Sequence, residues 1–281
     1  MRYLFLSLLL SSGCVFRPNP DYDDSTPDPT PSAGDPAAPS SSAPPADLGM
    51  AASPPAPDQA PSCTSVNEGF HADPSARWVL MGETVFDSDN SELQLTSLAY
   101  NAAGSAFYDA PLTSTSFDAR FTFRLSDGSG ADGLAFVLAT ATSAGDLTPY
   151  GDGLINQGWG LGYLGMEGFA VEFDTFRDVG NGDPNDNHVA LVRTSDGTHL
   201  MTGAPSVALH SSASHTAHVR VVANHLTVEV DGAQTIDADL PTSLGWPTDP
   251  VFFGFTAASS TLDDRHAVSD FALVIGPSGC F

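Results

Sequence analysis

The chain has 281 residues, with 34 acidic side chains against 9 basic ones, none of them lysine, and a formal net charge of −25 at pH 7. A surface this acidic repels nucleic acid and anionic lipid, which makes both poor candidates as partners. The composition favours cations and neutral molecules as ligands.

Residues 1–13 have the features of an export signal. Arg2 supplies a basic start, and residues 3–10 form an apolar run that is too short to span a bilayer. Small residues then precede Cys14, as at a bacterial lipoprotein cleavage site, although Leu10 stands one position farther from the cysteine than is usual. We expect Cys14 to carry a lipid at the bacterial outer membrane or cell surface. The alternative is an ordinary secretory peptide, and either would take the mature protein out of the cytoplasm.

Residues 14–62 are rich in Pro, Ser, Ala and Asp and contain hardly any aromatic or β-branched residues. Such a segment cannot bury enough apolar surface to offset the entropy cost of ordering it, so we expect a disordered, semi-stiff tether. It could act as a stalk or simply as a solubilising leader. Both interpretations predict a folded domain over residues 63–281.

With Cys14 assigned to the lipid, the remaining cysteines are Cys63 and Cys280, which bracket the predicted domain. Export places them in a compartment where disulfides persist. We therefore expect a disulfide between them, which requires the two ends of the domain to lie side by side.

Between these cysteines the sequence predicts strands and turns rather than helices. Residues 117–125 alternate apolar and polar side chains with a period of two, and Asn224-His225 is flanked by strand-like runs as in a hairpin. The shorter strand-like runs are 134–138, 219–221, 226–230 and 251–255. Many short strands joined by turns of Gly, Asp and Pro predict an all-β sandwich.

The segment from 171 to 188 carries the strongest chemical signal. Glu172 and Asp174 are two residues apart, so they project from the same face of a strand. A glycine-containing turn then brings back Asp183 and His188. An imidazole combined with carboxylates suits a transition metal such as Mn²⁺.

The same segment offers a second set of ligands made only of oxygen atoms, which suits Ca²⁺. This set comprises Asp174, the Phe176 carbonyl, Asp178 and Asp183. Two adjacent cations that share carboxylates would explain why so much negative charge is tolerated in so short a segment. Spacing alone leaves open the alternative of an acidic surface loop without metal.

Several segments, in the same order along the chain, resemble the L-type (legume-like) lectins. The matching segments are 104–106, 131–138, 162–165, 172–188 and 254–258. The resemblance covers essentially residues 63–281 and implies a concanavalin A-like jelly-roll β-sandwich. It also implies sugar binding that depends on Ca²⁺ and a transition metal.

The resemblance implies a role for each matching residue. Glu172 and His188 would bind the transition metal, and the all-oxygen set would bind calcium. Asp174 and Asp183 would bridge both ions. Asp132 would accept hydrogen bonds from two sugar hydroxyls, and the Gly162 amide would donate to one of them. The peptide bond between Ala131 and Asp132 is cis in that family and is expected to be cis here.

One residue departs from the family pattern. Asp178 stands where the family usually has asparagine, and a carboxylate keeps the calcium ligand but has no N–H to donate to a sugar. The sugar site could therefore be weakened or altered. Residues 259–264 fall at the position of the family's specificity loop, where Ser259 and Ser260 could contact a sugar or belong to an ordinary solvent-facing turn.

The histidines other than His188, His199 among them, show no ligand spacing and are interpreted as surface or strand residues. Two other function classes are alternatives for this sequence. Glycoside hydrolases on this kind of sandwich can carry Glu-x-Asp-x-x-Glu, but Arg177 occupies the last position and cannot act as acid or nucleophile. A surface or adhesion module that has lost sugar binding is the second alternative.

The sequence thus predicts a non-enzymatic lectin displayed on the cell surface, with Ca²⁺ and Mn²⁺ as cofactors and a glycan or polysaccharide as partner. Contact with the membrane is expected only through the lipid on Cys14. An oligomer is compatible with this interpretation.

Overall fold

A computed structural model describes residues 62–113, 116–151, 158–244 and 250–281. The predicted signal, Cys14 and nearly all of the predicted tether lie outside these residues. Within the described part, the strands are β1 (Thr64–Glu68), β2 (Trp78–Gly82), β3 (Val85–Asp87), β4 (Glu92–Thr96), β5 (Ala103–Tyr108), β6 (Phe117–Ser126), β7 (Gly133–Thr140), β8 (Glu167–Asp174), β9 (His188–Arg193), β10 (Thr198–Gly203), β11 (His215–Val222), β12 (His225–Val230), β13 (Ala233–Asp239), β14 (Phe252–Ala258) and β15 (Arg265–Ile275).

The helical segments in the described chain are short 3₁₀ turns, in agreement with the predicted lack of helices. They are Ala144–Asp146, Gly158–Gly160, Val179–Asn181, Thr242–Leu244 and Ser278–Cys280. None of these described helical segments is both long and apolar enough to cross a bilayer.

Two antiparallel sheets form the sandwich, which confirms the predicted fold class. In the described chain one sheet has the order β13-β12-β11-β6-β15-β4-β3, with β1 also paired to β15. The other has the order β10-β9-β8-β7-β14-β5-β2. The second sheet carries the candidate site. Its neighbouring strands β8 and β9 hold Glu172, Asp174 and His188, and Asp132 directly precedes β7.

The alternation in residues 117–125 gives β6 one buried face, since successive side chains of a strand point to opposite sides of the sheet. Phe121 of β6 packs between the sheets against Phe136, Phe173 and Phe255 of the opposite sheet, with ring centroids 4.9–5.8 Å apart. This aromatic layer fixes the distance between the sheets and supports β8 from beneath.

The ends of the described domain meet. β1 pairs with β15 in antiparallel register, Thr64 opposite Ile275. This pairing places Cys63 and Cys280 with Cα atoms 5.8 Å apart, and the two residues form a disulfide. The predicted cysteine pairing is confirmed.

The hairpin predicted at Asn224-His225 is present, but its turn is one residue earlier. Val222 pairs with His225, so His225 begins β12, and the turn consists of Ala223 and Asn224. Both turn residues have positive φ, 52° and 65°, as a two-residue hairpin turn of type I′ requires.

Candidate functional site

The site is built on the outer face of β8. Val171 and Phe173 point into the sandwich core, whereas Glu172 and Asp174 point to the opposite face. Both carboxylates are buried, with 1% and 4% of their surface exposed. The predicted division of this strand into an apolar face and an acidic face is confirmed.

The loop after β8 returns the other predicted ligands to the same place. Gly182 has φ +94°, a left-handed conformation that favours glycine, and it reverses the chain just before Asp183. His188 begins β9 opposite Asp174 in register. Ligand atoms of Asp174, Asp183 and His188 all lie within 4.8 Å of one another, and His188 Nε2 lies 3.5 Å from Glu172 Oε1.

Neighbouring groups orient two of these side chains. The Tyr163 hydroxyl donates to Glu172 Oε2 at 2.7 Å, which leaves Oε1 facing the cluster. His188 Nδ1 lies 3.0 Å from the Asn185 carbonyl oxygen. Because a carbonyl can only accept, Nδ1 carries the proton and Nε2 keeps the lone pair that a metal would use. Tyr163 was not among the residues predicted for this site.

Backbone N–H groups hold the carboxylates of Asp174 and Asp183. Asp174 Oδ1 accepts the Phe176 N–H at 2.8 Å, and Asp183 Oδ2 accepts the Asp178 N–H at 2.5 Å. These bonds fold residues 174–183 around the carboxylates. Asp178 is partly buried, and the charge of Asp183 acts on its carboxyl group, so the two side chains lie near each other.

The electrostatics of the cluster favour bound cations. Burial raises the pKa of Asp174 well above its usual range, and the charges of Glu172 and Asp183 add to this rise. Burial also raises the pKa of Asp183 and of Asp178. Burial acts to raise the pKa of Glu172 too, but the neighbouring imidazoles outweigh it and lower that pKa. Crowded, desolvated carboxylates of this kind need compensating positive charge.

His199 of β10 joins the cluster, although sequence analysis assigned it to no site. It pairs with Val192 of β9, and its Nε2 lies 2.8 Å from Glu172 Oε1. The sequence did contain a signal, since Asp196-Gly197 predicts a tight hairpin turn after β9. That turn would have placed His199 on the same sheet face as His188.

Asp132 lies beside this cluster, at the start of β7. The peptide bond between Ala131 and Asp132 is cis, as the resemblance led us to expect. The carboxyl group is 1% exposed, and neither of its oxygens forms a hydrogen bond of normal geometry in the described chain. Burial raises its pKa to about 7, assisted by the charge of Asp178, while the Ser260 hydroxyl opposes the rise.

Thr175 ties Asp132 to the acidic loop. Its backbone N–H and its hydroxyl both donate to the Asp132 carbonyl oxygen, at 2.9 and 3.0 Å. Asp132 N–H donates in turn to the Ala258 carbonyl at 3.1 Å. The residue predicted to bind sugar is therefore held by the segment predicted to bind cations.

Gly158 contacts Asp132, whereas Gly162 packs against a neighbouring strand. A Cβ added to Gly158 would lie 1.5 Å from Asp132 Oδ2, so this glycine packs directly against the carboxylate. Gly162, which the resemblance indicated, lies against Thr256 and Ala257 of β14, where an added Cβ would be 3.0 Å from the Ala257 carbonyl oxygen. Close approach to Asp132 thus requires glycine at 158, a position that the sequence analysis did not single out.

The two serines of the loop after β14 are placed differently. Ser259 is buried, and its hydroxyl donates to the Ala99 carbonyl at 2.7 Å and accepts the Ala102 N–H at 3.3 Å. This hydroxyl anchors the loop. Ser260 is the serine whose side chain acts on Asp132.

The residues present fit a pair of cations. Glu172 Oε1 and His188 Nε2 are buried and have no hydrogen-bond partner in the described chain, although they face each other across 3.5 Å. Ligand atoms on a shared ion at bond lengths of about 2.1 Å lie roughly 3.0–3.4 Å apart. Glu172, His188 and His199 form one group of possible ligands, which suits a transition metal. Asp174 and Asp183 form a second group with His188, and their carboxylate oxygens suit Ca²⁺.

Comparison with known proteins identifies the family. The legume lectin domain matches residues 66–274. The chain belongs to the legume lectin domain family. The match includes every residue of the acidic cluster and Asp132, so the site lies inside the legume lectin domain.

Several solved structures have a similar fold. A peanut lectin in complex with a nine-residue peptide is 24% identical with a TM-score of 0.63, over 76% of this chain and 97% of that one. A Lotus tetragonolobus seed lectin is 20% identical with a TM-score of 0.62, over 76% and 99%. The exoplasmic/lumenal domain of VIP36, in a form bound to Ca²⁺ and mannose, is 20% identical with a TM-score of 0.54, over 70% and 82%. These likenesses establish the fold. No curated protein sequence matches the chain.

Proposed function

We propose that this legume lectin domain binds carbohydrate in a cation-dependent manner, with Asp132 as the main acceptor for sugar hydroxyls. The observation that carries the proposal is the buried Asp132 carboxylate, whose oxygens have no partner of normal geometry in the described chain. A buried acceptor left in this state is costly unless a ligand completes it. Membership in a lectin family gives that ligand its chemical class.

The cations support the sugar site indirectly in this proposal. Asp174, Asp178 and Asp183, with the Phe176 carbonyl, would hold Ca²⁺, while Glu172 and His188 would hold the transition metal. Burial raises the pKa of Asp132, and the charge of Asp178 adds to the rise. Bound cations would offset the charges of the neighbouring aspartates and so would favour the ionised form of this carboxyl.

The sugar would be framed by loops around Asp132. No backbone carbonyl of the described residues accepts the Gly162 N–H, and in this proposal that N–H donates to a sugar hydroxyl. The Ser260 side chain lies next to Asp132. Ser259 would contribute through the position of the loop, because its hydroxyl is engaged by backbone groups.

A structural module without sugar binding is the second candidate, and two observations favour it. Asp178 has no N–H on its side chain to donate to a sugar. Gly158 packs directly on Asp132 Oδ2, so a sugar could reach that oxygen only after residue 158 moves away. This candidate predicts full cation binding and an intact fold with no affinity for glycans.

A glycan array decides between the two candidates. The purified protein would be applied with Ca²⁺ and a transition metal, and again with EDTA. Binding to a saccharide that EDTA abolishes supports the lectin. A folded, cation-loaded protein that binds no saccharide in either condition supports the structural module. Asp132→Asn is the matched variant, because it keeps the shape of the side chain but removes the acceptor charge.

We further propose that the protein is exported and held at the cell surface by a lipid on Cys14. The Cys63–Cys280 disulfide supports export, since such bonds persist in oxidising compartments. Labelling with a radioactive fatty acid tests the anchor: the wild-type protein should incorporate it and fractionate with membranes, and Cys14→Ser should do neither. A soluble, unlabelled wild-type protein would leave the ordinary secretory peptide as the explanation.

A further inference from the structure

The His199 side chain lies beside the predicted ligands of the transition metal. Its side chain is 14% exposed, and its Nε2 lies 2.8 Å from Glu172 Oε1 and 3.6 Å from Asp183 Oδ1. The resemblance to legume-like lectins implied a single histidine, His188. The structure adds a second imidazole from a different strand.

Ligand atoms of Glu172, His188 and His199 all lie within 4.8 Å of one another, and Asp183 lies at the edge of this group. Glu172 Oε1 lies near both imidazoles, yet it makes no hydrogen bond of normal geometry in the described chain, and neither does His188 Nε2. The separations among Glu172, His188, His199 and Asp183 that involve a histidine are 2.8, 3.5, 3.6 and 4.0 Å. Neighbouring ligands on one ion at about 2.1 Å lie roughly 3.0–3.4 Å apart. The two distances to Glu172 Oε1, 2.8 and 3.5 Å, fall just outside this range on either side, so small shifts of the side chains would bring Glu172 and both imidazoles onto one ion.

Neighbouring groups orient Glu172 and His188 for that ion. Tyr163 occupies Glu172 Oε2, and the Asn185 carbonyl fixes the proton of His188 on Nδ1. Such outer contacts orient ligands and increase their affinity for metal. His199 also borders a cavity of about 500 Å³ that Trp159, Gly182 and Gly197 help to line, which gives an ion a path from solvent.

We propose that His199 Nε2 is a direct ligand of the transition metal, and that the resulting pair of imidazoles gives the site a preference for Zn²⁺ over Mn²⁺. Imidazole ligands suit Zn²⁺, whereas Mn²⁺ is better matched by carboxylates, carbonyls and water. Zn²⁺ also stands above Mn²⁺ in the general affinity order of divalent ions. This inference rests on the cation site of the proposed function and specifies its metal.

The test measures metal content, not sugar binding. Metal-free protein is equilibrated with excess Ca²⁺ and equal amounts of Zn²⁺ and Mn²⁺, freed of unbound ions by gel filtration, and analysed by mass spectrometry of the elements. We expect one Zn²⁺ per chain and little Mn²⁺. His199→Ser should lower the Zn²⁺ affinity by about 10- to 100-fold or more, since loss of a supporting contact alone has effects of that size. Its Ca²⁺ affinity should stay close to that of the wild type.

His225→Ser is the matched control. His225 also contacts two carboxylates, Asp237 at 2.6 Å and Asp239 at 2.7 Å, but it lies exposed on β12 of the other sheet. The control should keep the wild-type preference for Zn²⁺. An equal loss of Zn²⁺ in both variants would overturn the assignment to His199.

A measurement on the wild-type protein covers the case in which His199→Ser fails to fold. In ¹⁵N-histidine NMR spectra, Zn²⁺ should remove any proton from His199 Nε2 and shift its resonance as a directly bound nitrogen. An Nε2–H retained at saturating Zn²⁺ would overturn the inference. If the folded protein binds no transition ion at all, the proposed cation site fails as well. If it binds one ion with unchanged preference in His199→Ser, only the inference fails.

Discussion

Thr175 donates two hydrogen bonds to the Asp132 carbonyl oxygen, one from its backbone and one from its hydroxyl. Thr175 directly follows Asp174, one of the predicted bridging ligands. Its two hydrogen bonds therefore connect the acidic loop to Asp132. Any cation that orders the loop would also fix the position of the Asp132 backbone. This connection is the physical route by which cation binding would control sugar binding.

Replacing Thr175 by valine should weaken this connection without changing the size of the side chain much. The hydroxyl bond is lost while the backbone bond remains, so the free energy of unfolding should fall by about 1 kcal/mol. Because this hydrogen bond holds Asp132 in place, we expect its loss to lower the glycan affinity by about 2- to 10-fold. Calorimetric titration of the cation-loaded protein with its array-identified glycan measures the effect.

Thr194→Val is the matched control for that variant. The Thr194 hydroxyl is also buried and donates to a backbone carbonyl, that of Met166, at 2.9 Å. Its removal should cost similar stability and leave glycan affinity unchanged. Equal glycan affinities in Thr175→Val and the wild type would show that the Thr175 hydroxyl does not support the sugar site.

The sequence was sufficient for features that depend on local periodicity. Alternation in residues 117–125 predicted the buried face of β6, and the spacing of Glu172 and Asp174 predicted a common face of β8. Both follow from the two-residue period of a strand. The family motif then predicted how the loop brings Asp183 and His188 to that face.

Features that depend on how strands pair and on how loops pack against one another were missed. His199 reaches Glu172 across β9, and its place depends on how β9 and β10 pair around the Asp196-Gly197 turn. Gly158 meets Asp132 only because two loops far apart in the chain pack together. No sequence periodicity reports such a contact between loops.

Replacing Asp178 by asparagine should strengthen glycan binding. Asparagine keeps an oxygen for Ca²⁺ and supplies an N–H that can donate to a sugar hydroxyl. One added neutral hydrogen bond predicts an increase in affinity of about 2- to 10-fold. The array-identified glycan and calorimetric titration again provide the measurement. Asp186→Asn, at an exposed acid of the same loop, controls for the removal of one negative charge and should have little effect.

Removal of cations should destabilise the whole domain. Glu172, Asp174 and Asp183 are buried together, and without positive ions their repulsion opposes folding. An ion present at 100 times its dissociation constant stabilises the folded state by about 2.7 kcal/mol. Thermal unfolding should therefore occur at a clearly lower temperature in EDTA and recover when Ca²⁺ and a transition metal are added back. Identical unfolding temperatures with and without EDTA would mean that the cluster folds without cations.

His266 should make stability depend on pH in the acidic range, independently of the cation site. Its side chain is fully buried against Thr96, with Nδ1 2.6 Å from the hydroxyl oxygen, and burial lowers the pKa of His266 to about 3. The nearby charge of His210 lowers it further. The unfolded chain takes up this proton below about pH 6.5, whereas the folded protein does not until about pH 3. Its stability therefore falls as the pH drops between these values, by at most about 1.4 kcal/mol per pH unit from this residue.

His266→Asn tests this expectation, because an amide can still donate to Thr96 but does not titrate. Chemical unfolding of both proteins from pH 7 to pH 4 should be measured in EDTA throughout, so that acid release of cations cannot contribute. The wild type should lose more stability than the variant over this range, and His71→Asn, at an exposed histidine, should behave like the wild type. Parallel pH profiles for the wild type and His266→Asn would mean that the folded protein accommodates a protonated His266. The buried contact with Thr96 would then have to open at a pH well above 3.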